Sequence, residues 1–190
     1  DMQVGIMRQI ADGDAVVARV KAVLETARAA GVRTVFVRHV TLPTRLMGAS
    51  QLRMWRAWQR RDSAADVVSA FPPQAEHSQI VPELAPAADE AVFEKLTMSA
   101  FEGTPLDIVL RDCGVTAVAM AGVALEVGIE PTARQAADLG YIPIVIRDAC
   151  GAGDAAAGAR SLDALQFAGD AILTDSAAFA AALAAHGGAA

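Results

Sequence analysis

Four short apolar runs alternate with helical segments along this 190-residue chain, and this alternation limits the fold more than any other feature. The runs are RTVFVRHV, EAVFEK, TAVAMAG and IPIVIRD. Each is largely apolar along its length, which is typical of parallel strands that helices cover on both faces. We therefore predict an α/β fold: a doubly wound, Rossmann-like, mostly parallel sheet in a single domain, residues 1–190.

Segments with helical periodicity lie between these apolar runs. The first helical segment, DAVVARVKAVLETARAAG, ends at a glycine stop signal and has one apolar face. That face consists of Val16, Val20, Val23, Leu24 and Ala27. Further helices are predicted at PLDIVLRDCG, EPTARQAADLG and DAAAGARSLDALQFAG, followed by a short strand AILTD and an Ala-rich helix that frays at its end.

Composition narrows the function classes. Apolar residues make up 54% of the chain, but no apolar run reaches the roughly 20 residues that span a bilayer. The net charge of −6 argues against nucleic acid or an anionic membrane as a partner. Two cysteines, Cys113 and Cys150, cannot form a disulfide framework, so we expect a reducing, cytoplasmic location.

No cofactor or metal motif is present in the sequence. CGAGDAAAG is rich in glycine but lacks the spacing of a phosphate-binding loop. The three histidines, His39, His77 and His186, have no metal-ligand spacing. We expect no cofactor, no metal and a small-molecule substrate.

Residues 41–90 form an irregular segment, predicted to be a lid or insert. They hold five of the eight prolines, both tryptophans and a cluster of arginines. The stretch SQLRMWRAWQRR predicts a helix that turns Trp55 and Arg56 towards a pocket. An amphipathic surface helix that packs its tryptophans on the core or on a second subunit is an equal alternative. Because of this tryptophan-bearing segment, we predict a homo-oligomer.

The carboxyl ends of the strands are the expected ligand site, because doubly wound sheets bind ligands there. Lys95, the segment 122–124 and Asp148 each follow a predicted strand closely. The same rule indicates Asp1, provided that a strand precedes it.

Several motifs in combination resemble one family. DMQ opens the chain, a K-x-x-x-S-A-F-x-G-T-x-L-D block begins at Lys95, and A-G-V-A and T-A…A-A-D-L-G-Y follow. In this order they resemble the isochorismatase-like hydrolase superfamily, also called the cysteine hydrolases. The resemblance is nearly continuous from residue 80 to residue 149.

The resemblance implies a set of site residues. It matches Asp1 and Lys95 to a catalytic acid–base pair, and it implies a cis peptide between Val123 and Ala124. Backbone N–H groups of Val123, Ala124 and Gly128 would then form an oxyanion site. A carboxylate beside an ammonium in a partly dry pocket keeps both groups ionised and can transfer protons.

Gly128 departs from the family pattern, because it stands where the nucleophilic cysteine is expected. Glycine has no side chain to attack a carbonyl, so an acyl-enzyme at this position is excluded. Neither Cys113 nor Cys150 fills the gap by sequence position.

Three explanations stay open at this stage. In the first, the chain resembles the isochorismatase branch, in which glycine is usual and Asp1 protonates a vinyl ether. In the second, water attacks an amide or ester directly, with help from Glu126 or Glu130. In the third, the protein is an inactive relative that binds a ligand or a partner.

The remaining candidates concern substrate binding. Glu130 stands at a usually apolar position of the family, and Glu126 at a position that is often acidic for structural reasons. Arg45, Arg53 and Arg56 offer guanidinium groups for a substrate carboxylate, although a solvated basic face is an equal explanation. We predict a hydrolase that acts on a small carboxylate-bearing metabolite, with Arg53, Trp55, Arg56 and Glu130 in substrate binding.

Overall fold

The computed structural model describes the backbone of residues 1–187 and the side chains of residues 1–185. This part of the chain contains five strands and seven helices. The strands are β1 (Val35–His39), β2 (Ala91–Lys95), β3 (Ala117–Gly122), β4 (Ile142–Cys150) and β5 (Ile172–Thr174). The helices are α1 (Val4–Met7), α2 (Gly13–Ala29), α3 (Ala49–Trp58), α4 (Leu106–Asp112), α5 (Glu130–Asp138), α6 (Ala155–Ala168) and α7 (Ser176–Gly187). The residues after 187, where the terminal helix was predicted to fray, and the side chain of His186 lie outside this part.

All strand pairs are parallel. β1 pairs with β2, so that His39 lies opposite Lys95. β3, β4 and β5 form a second sheet in that order. The predicted α/β class, with parallel strands and helices on both faces, is confirmed, although the described strands form two parallel sheets where one was expected.

The carboxyl ends of the two sheets lie at the same end of the molecule. Lys95 is the last residue of β2, and Gly128 follows β3 by six residues. An ideal Cβ on Gly128 would lie 3.4 Å from the Nζ of Lys95. The end of β2 and the turn that follows β3 therefore meet at the same place.

The core has one layer on each side of the sheets. On one side the predicted apolar face of α2 is buried, from Val16 to Ala27. On the other side a cluster joins α4, α5 and α6 through Leu110, Ala133 and Leu165. Burial of these faces is the main stabilising contribution to such a fold.

Residues 41–90 contain the predicted helix, α3, and several short 3₁₀ turns. Trp55 is buried in a small cluster with Met47, Val67 and Phe71, whereas Trp58 is half exposed. The tryptophan nearer the start of α3 thus packs on the core, as the alternative interpretation of this helix expected.

No helix within residues 1–187 is long and apolar enough to cross a membrane.

Candidate active site

The ion pair between Asp1 and Lys95 is the centre of the site. Asp1 Oδ2 lies 2.8 Å from Lys95 Nζ, and the side chains are only 10% and 3% exposed, respectively. Lys95 Nζ also donates a hydrogen bond to the carbonyl of Met98. The other carboxylate oxygen, Asp1 Oδ1, is buried and has no hydrogen-bond partner among the described residues. It is therefore an acceptor available to a substrate or a water molecule.

Burial changes the proton affinity of the lysine. Removal of the ammonium from water lowers the pKa of Lys95 to about 8. Near neutral pH, Lys95 is still mostly protonated, and it lies in contact with the carboxylate. The pair is consequently an electrostatic unit that can gain or lose a proton close to physiological pH.

Gly128 faces this pair directly. A Cβ at this position would lie 3.2 Å from Asp1 Oδ2, 3.4 Å from Lys95 Nζ and 3.8 Å from the carbonyl oxygen of Met98. A side chain here would thus contact both members of the buried ion pair. The structure brings Asp1, Lys95 and Gly128 together as the sequence predicted, and glycine leaves the space beside the pair open.

The turn before α5 shapes the wall of the site. The peptide bond between Val123 and Ala124 is cis, as the resemblance implied. Residues Leu125–Ile129 form a π-helical turn that leads into α5. Within it, the N–H of Gly128 donates to the carbonyl of Ala124 at 2.8 Å. The amide of Gly128 is therefore already bonded, and an oxyanion role is better sought at the amides of Val123 and Ala124.

Thr132 fixes this turn to the loop after β2. Its hydroxyl donates to the carbonyl of Gly128 at 2.6 Å and accepts from the N–H of Ala100 at 3.0 Å. Sequence reasoning assigned no role to Thr132, although it belongs to the T-A motif. Its two bonds set the distance between Gly128 and the loop that follows Lys95.

Gln3 fixes the segment that carries Asp1. Its side chain is fully buried, donates to the carbonyls of His39 and Ser78, and accepts from the N–H of His39. Gln3 thereby ties the start of the chain to the end of β1. Its role was also missed, and its position in the DMQ motif was the available signal.

His39 lies beside the pair at the end of β1. Burial, and then the charge of Lys95, lower the pKa of His39 to about 4, so the ring is neutral near pH 7. Its Nε2 is buried without a partner among the described residues, and the ring packs near Trp55 and Phe71. The ring therefore forms part of an aromatic wall behind Lys95.

The helix α3 covers the carboxyl ends of β1 and β2. Gln51 donates to the carbonyl of Leu96 at 3.0 Å, and Trp55 packs against His39. Arg53 and Arg56 are exposed on the same helix. α3 is thus positioned over the site, with Trp55 turned inwards and the two arginines at the surface.

Two acidic candidates, Glu126 and Glu130, form structural contacts instead of facing the site. One oxygen of Glu126 accepts from the N–H groups of Gly153 and Asp154. The oxygens of Glu130 are bonded to Arg134 and to Ser161 of α6. The structure does not bring Glu130 into the site, because both of its oxygens are held on the face of α5 that packs against α6.

Asp148 and the two cysteines also do not form part of the ion pair between Asp1 and Lys95. Asp148 lies within β4, not after it, and binds the N–H and hydroxyl of Ser176 at the start of α7. Burial raises the pKa of the Cys150 thiol to about 12, so it stays protonated. Cys113 is a free thiol at the end of α4. None of these three side chains replaces the missing nucleophile.

Within the side chains described, no three His, Cys, Asp or Glu residues cluster as metal ligands.

Fold and site together define an α/β protein of the isochorismatase type, with a buried ion pair at the carboxyl end of a parallel strand. The sequence profile of the isochorismatase domain matches residues 1–178, so the chain belongs to the isochorismatase family.

Two curated relatives match parts of the chain. An uncharacterized isochorismatase family protein of Bacillus subtilis (strain 168), YwoC, is 39% identical over 75 residues, which are 40% of each chain. The ureidoacrylate amidohydrolase RutB of Klebsiella pneumoniae is 39% identical over 71 residues, which are 37% of this chain and 30% of the relative. The aligned segments thus span less than half the length of these relatives.

Solved structures match over most of the chain. N-carbamoylsarcosine amidase from Thermoplasma acidophilum is 26% identical, with a TM-score of 0.70 over 86% of this chain and 83% of the other. An isochorismatase family protein from Desulfovibrio vulgaris has a TM-score of 0.81 at 23% identity, over 97% and 95% of the two chains. The latter likeness concerns the fold alone.

Proposed function

We propose that this protein hydrolyses a small, carboxylate-bearing substrate by proton transfer at Asp1 and Lys95, without a covalent intermediate. The observation that carries the proposal is the position of Gly128. Its missing side chain would point at Asp1 Oδ2 and Lys95 Nζ, so the acid–base pair of a hydrolase is complete while the nucleophile is not.

For a C–N bond, Asp1 acts as a general base. Its carboxylate takes a proton from water in the space beside Gly128, and the water oxygen attacks the carbonyl carbon. The C=O electron pair moves to oxygen, where the amides of Val123 and Ala124 stabilise it. Collapse of the adduct breaks the C–N bond, and Asp1 returns the proton to the leaving nitrogen. The names of the two amide hydrolases above favour this bond class.

For a vinyl ether, Asp1 acts in its protonated form. It donates its proton to the terminal vinyl carbon, and the C=C electron pair forms the new C–H bond. The resulting cation shares its charge with the ether oxygen and adds water, whose lost proton returns to Asp1. The hemiketal then releases an alcohol and a ketone. Gly128 favours this class, because the reaction needs no nucleophilic side chain.

The substrate carboxylate would be bound by Arg53 and Arg56. Both are exposed on α3 above the site, and neither forms an ion pair among the described residues. A guanidinium presents two parallel N–H donors to a carboxylate, which fixes the orientation of the substrate. Trp55 supports the helix from below.

The decisive experiment is a turnover screen of vinyl ethers, amides and lactams, run with and without iodoacetamide. Turnover that survives alkylation, shows no burst of first product, and disappears in Asp1→Asn is the expected result. The bond class that turns over selects between the two reactions.

Two other outcomes contradict the proposal. Complete inactivation by iodoacetamide would point to a thiol mechanism through Cys113 or Cys150. If no substrate turns over, and Asp1→Asn binds ligands as tightly as the parent, the protein is a ligand-binding or interaction member of its family.

We also propose a cytoplasmic homo-oligomer. The two cysteines are free, Trp58 is half exposed, and Phe167 is 94% exposed. Light scattering after size exclusion measures the oligomeric state, and a monomer at micromolar concentration would refute it.

A further inference from the structure

The charges of this chain are distributed unevenly along its sequence. Residues 26–61 hold eight of the 16 basic residues, all of them arginine, and none of the 22 acidic residues. The chain as a whole is nonetheless acidic, with a formal net charge of −6. The segment that contains β1 and α3 is therefore the basic region of an otherwise acidic molecule.

Two of these arginines are neutralised within the fold. Arg28 pairs with Glu90, and Arg38 pairs with Glu94. Five others share two properties, because they are exposed and form no ion pair among the described residues. These five, which we call the arginine cluster, are Arg45, Arg53, Arg56, Arg60 and Arg61.

Two acids follow the arginine cluster in the chain, and they offset only part of its charge. Asp62 and Asp66 are both exposed, and residues 41–71 contain no other acid, so this segment keeps an excess of positive charge. The dipole of α3 explains only the arginines near its end, because cations stabilise the last turn of a helix. Arg45 lies before α3, and Arg53 lies in its middle.

The buried site below α3 has no net charge that could attract an anion. Asp1 and Lys95 neutralise each other at 2.8 Å, and His39 is uncharged near pH 7, because its pKa is lowered to about 4. α3 covers this site, with Gln51 bonded to the carbonyl of Leu96. A helix of ten residues is only about 15 Å long. In dilute salt, where charges act over about 30 Å, the arginine cluster therefore attracts an anion that approaches the site.

We propose that the arginine cluster recruits a small anion with two negative charges, such as a dicarboxylate, to the candidate site by long-range attraction. This inference deepens the proposed function and rests on it for the reaction itself. Arg53 and Arg56 contact a substrate carboxylate, whereas Arg45, Arg60 and Arg61 act at a distance on its approach. The attraction is proportional to the charge of the anion, so a dianion gains about twice the free energy that a monoanion gains. Surfaces of one sign around a cleft raise association rates by about 10- to 1000-fold.

The first test measures the electrostatic potential at the end of α3 and needs no turnover. The chain has two tryptophans, of which Trp55 is buried and Trp58 is half exposed, so quenching of fluorescence reports mainly on Trp58. Iodide and caesium are compared at about 0.05 M total salt, each relative to N-acetyltryptophanamide, and acrylamide measures access alone. We expect iodide to quench at least about threefold more strongly than caesium. This ratio should approach one at about 0.5 M salt, where the charges are screened.

The variant Arg45→Gln/Arg60→Gln/Arg61→Gln tests whether the cluster causes this preference. It leaves two arginines against two acids in residues 41–71, so the excess of positive charge disappears. We expect the variant to lose the preference for iodide and to keep the quenching by acrylamide. Each of the three changes alone should alter kcat/KM by less than about 1.5-fold at about 0.15 M salt, because solvent screens a single exposed charge.

The matched control is Arg8→Gln/Arg19→Gln/Arg160→Gln. It removes the same charge from exposed arginines outside residues 26–61, and these arginines form no ion pair among the described residues. We expect the control to keep the preference for iodide. The proposal is overturned if iodide and caesium quench the parent equally, or if the two triple variants behave alike. Failure of acrylamide to quench the parent would show that a second copy covers Trp58, and it would also overturn the proposal.

The second test separates this inference from the proposed function. For a dicarboxylate that turns over, kcat/KM is compared with that of its monomethyl and dimethyl esters between about 0.02 and 0.3 M NaCl. We expect a fall of at least about fivefold for the dianion, about twofold for the monoanion and none for the neutral diester. Turnover without this order overturns the recruitment and leaves the proposed function intact. If nothing turns over, the proposed function fails, and the quenching test alone decides whether the arginine cluster recruits anions.

Discussion

Two ion pairs lie at the two ends of the segment from Gly128 to Arg134, and they differ in how far their side chains are exposed to solvent. In the first, Lys95 and Asp1 are 3% and 10% exposed. In the second, Arg134 and Glu130 are 38% and 22% exposed, and a second acid, Asp170, also binds the arginine. One carboxylate oxygen of the first pair lacks a partner among the described residues, whereas both oxygens of Glu130 are bonded.

The difference indicates which pair has a chemical role. A satisfied pair near the surface adds little stability and has no free acceptor for a substrate. A buried pair with an open oxygen and a lysine of lowered pKa can exchange protons. The environment of each pair, not its residue types, therefore makes Asp1 and Lys95 the candidate pair for chemistry.

The largest expected effect comes from removal of the buried cation. Lys95→Met should lower kcat/KM by at least about 100-fold per folded molecule, because the carboxylate loses its charge partner. It should also cost about 3–5 kcal/mol of unfolding free energy, because it leaves a buried carboxylate without its partner. Steady-state kinetics and urea unfolding measure the two effects.

Arg134→Met is the matched control for this change. It removes the exposed pair and should alter unfolding free energy by no more than about 1 kcal/mol, with little change in kcat/KM. Equal losses of activity in the two variants would remove the functional distinction between the pairs.

The pH dependence tests the same pair without a mutation. Because the pKa of Lys95 is lowered to about 8, kcat/KM should fall by about tenfold per pH unit above that value. A rate profile that stays flat to pH 10 would show that the charge of Lys95 is not needed.

The unfolding free energy should also depend on the titration of Lys95, and it should rise with pH where kcat/KM falls. From about pH 8 to the ordinary lysine value of 10.5, the unfolded state holds more protons on Lys95 than the folded state. The contribution of Lys95 to unfolding free energy therefore rises with pH across this window. Urea titrations of the parent and of Lys95→Met should differ in this slope.

Gly128→Ala fills the open space beside the buried pair. The new Cβ lies 3.2 Å from Asp1 Oδ2, so the carboxylate has to shift by a few tenths of an ångström. We expect kcat/KM to fall by about fivefold, with Tm unchanged or slightly higher because alanine favours a helical turn. Gly48→Ala, where a Cβ meets nothing within 4 Å, is the control and should leave kcat/KM unaltered. An equally active Gly128→Ala would show that no reacting group uses this space.

The smallest effect is expected at the surface of α3. Arg53→Ala and Arg56→Ala should each raise KM by about threefold for a carboxylate-bearing substrate, with kcat retained, because solvent screens an exposed ion pair. Arg61→Ala, which changes an exposed arginine beyond the end of α3, is the control. A neutral analogue of the substrate should be insensitive to all three changes, and equal effects on it would argue against carboxylate binding.

Much of the fold could be predicted because local patterns decide it. Continuous apolar runs became β1 to β4, and the apolar face of α2 was buried as expected. Asp148 was misjudged because β4 continues two residues beyond it, to Cys150, and a strand's end depends on its neighbours. The division of the strands into two sheets also had no local signal, because pairing joins residues that are distant in sequence.

The candidate site was predicted unevenly for a similar reason. Motifs indicated Asp1, Lys95 and Gly128, and the structure brings them together. Glu130 was misjudged, because periodicity could not show that its face of α5 meets Ser161. Gln3 and Thr132 were overlooked, because their importance lies in hydrogen bonds to distant backbone groups.

By itself, the sequence determined the strand and helix segments, the absence of a thiol at position 128, and the acid and base available for chemistry. Only the tertiary structure decided that Asp1 and Lys95 are desolvated together, with Asp1 Oδ2 paired to the lysine beside Gly128 and Asp1 Oδ1 left without a hydrogen-bond partner among the described residues. The physical reason is that residue type sets the charge a group can carry. Its proton affinity depends on the solvent and the partners that folding leaves around it.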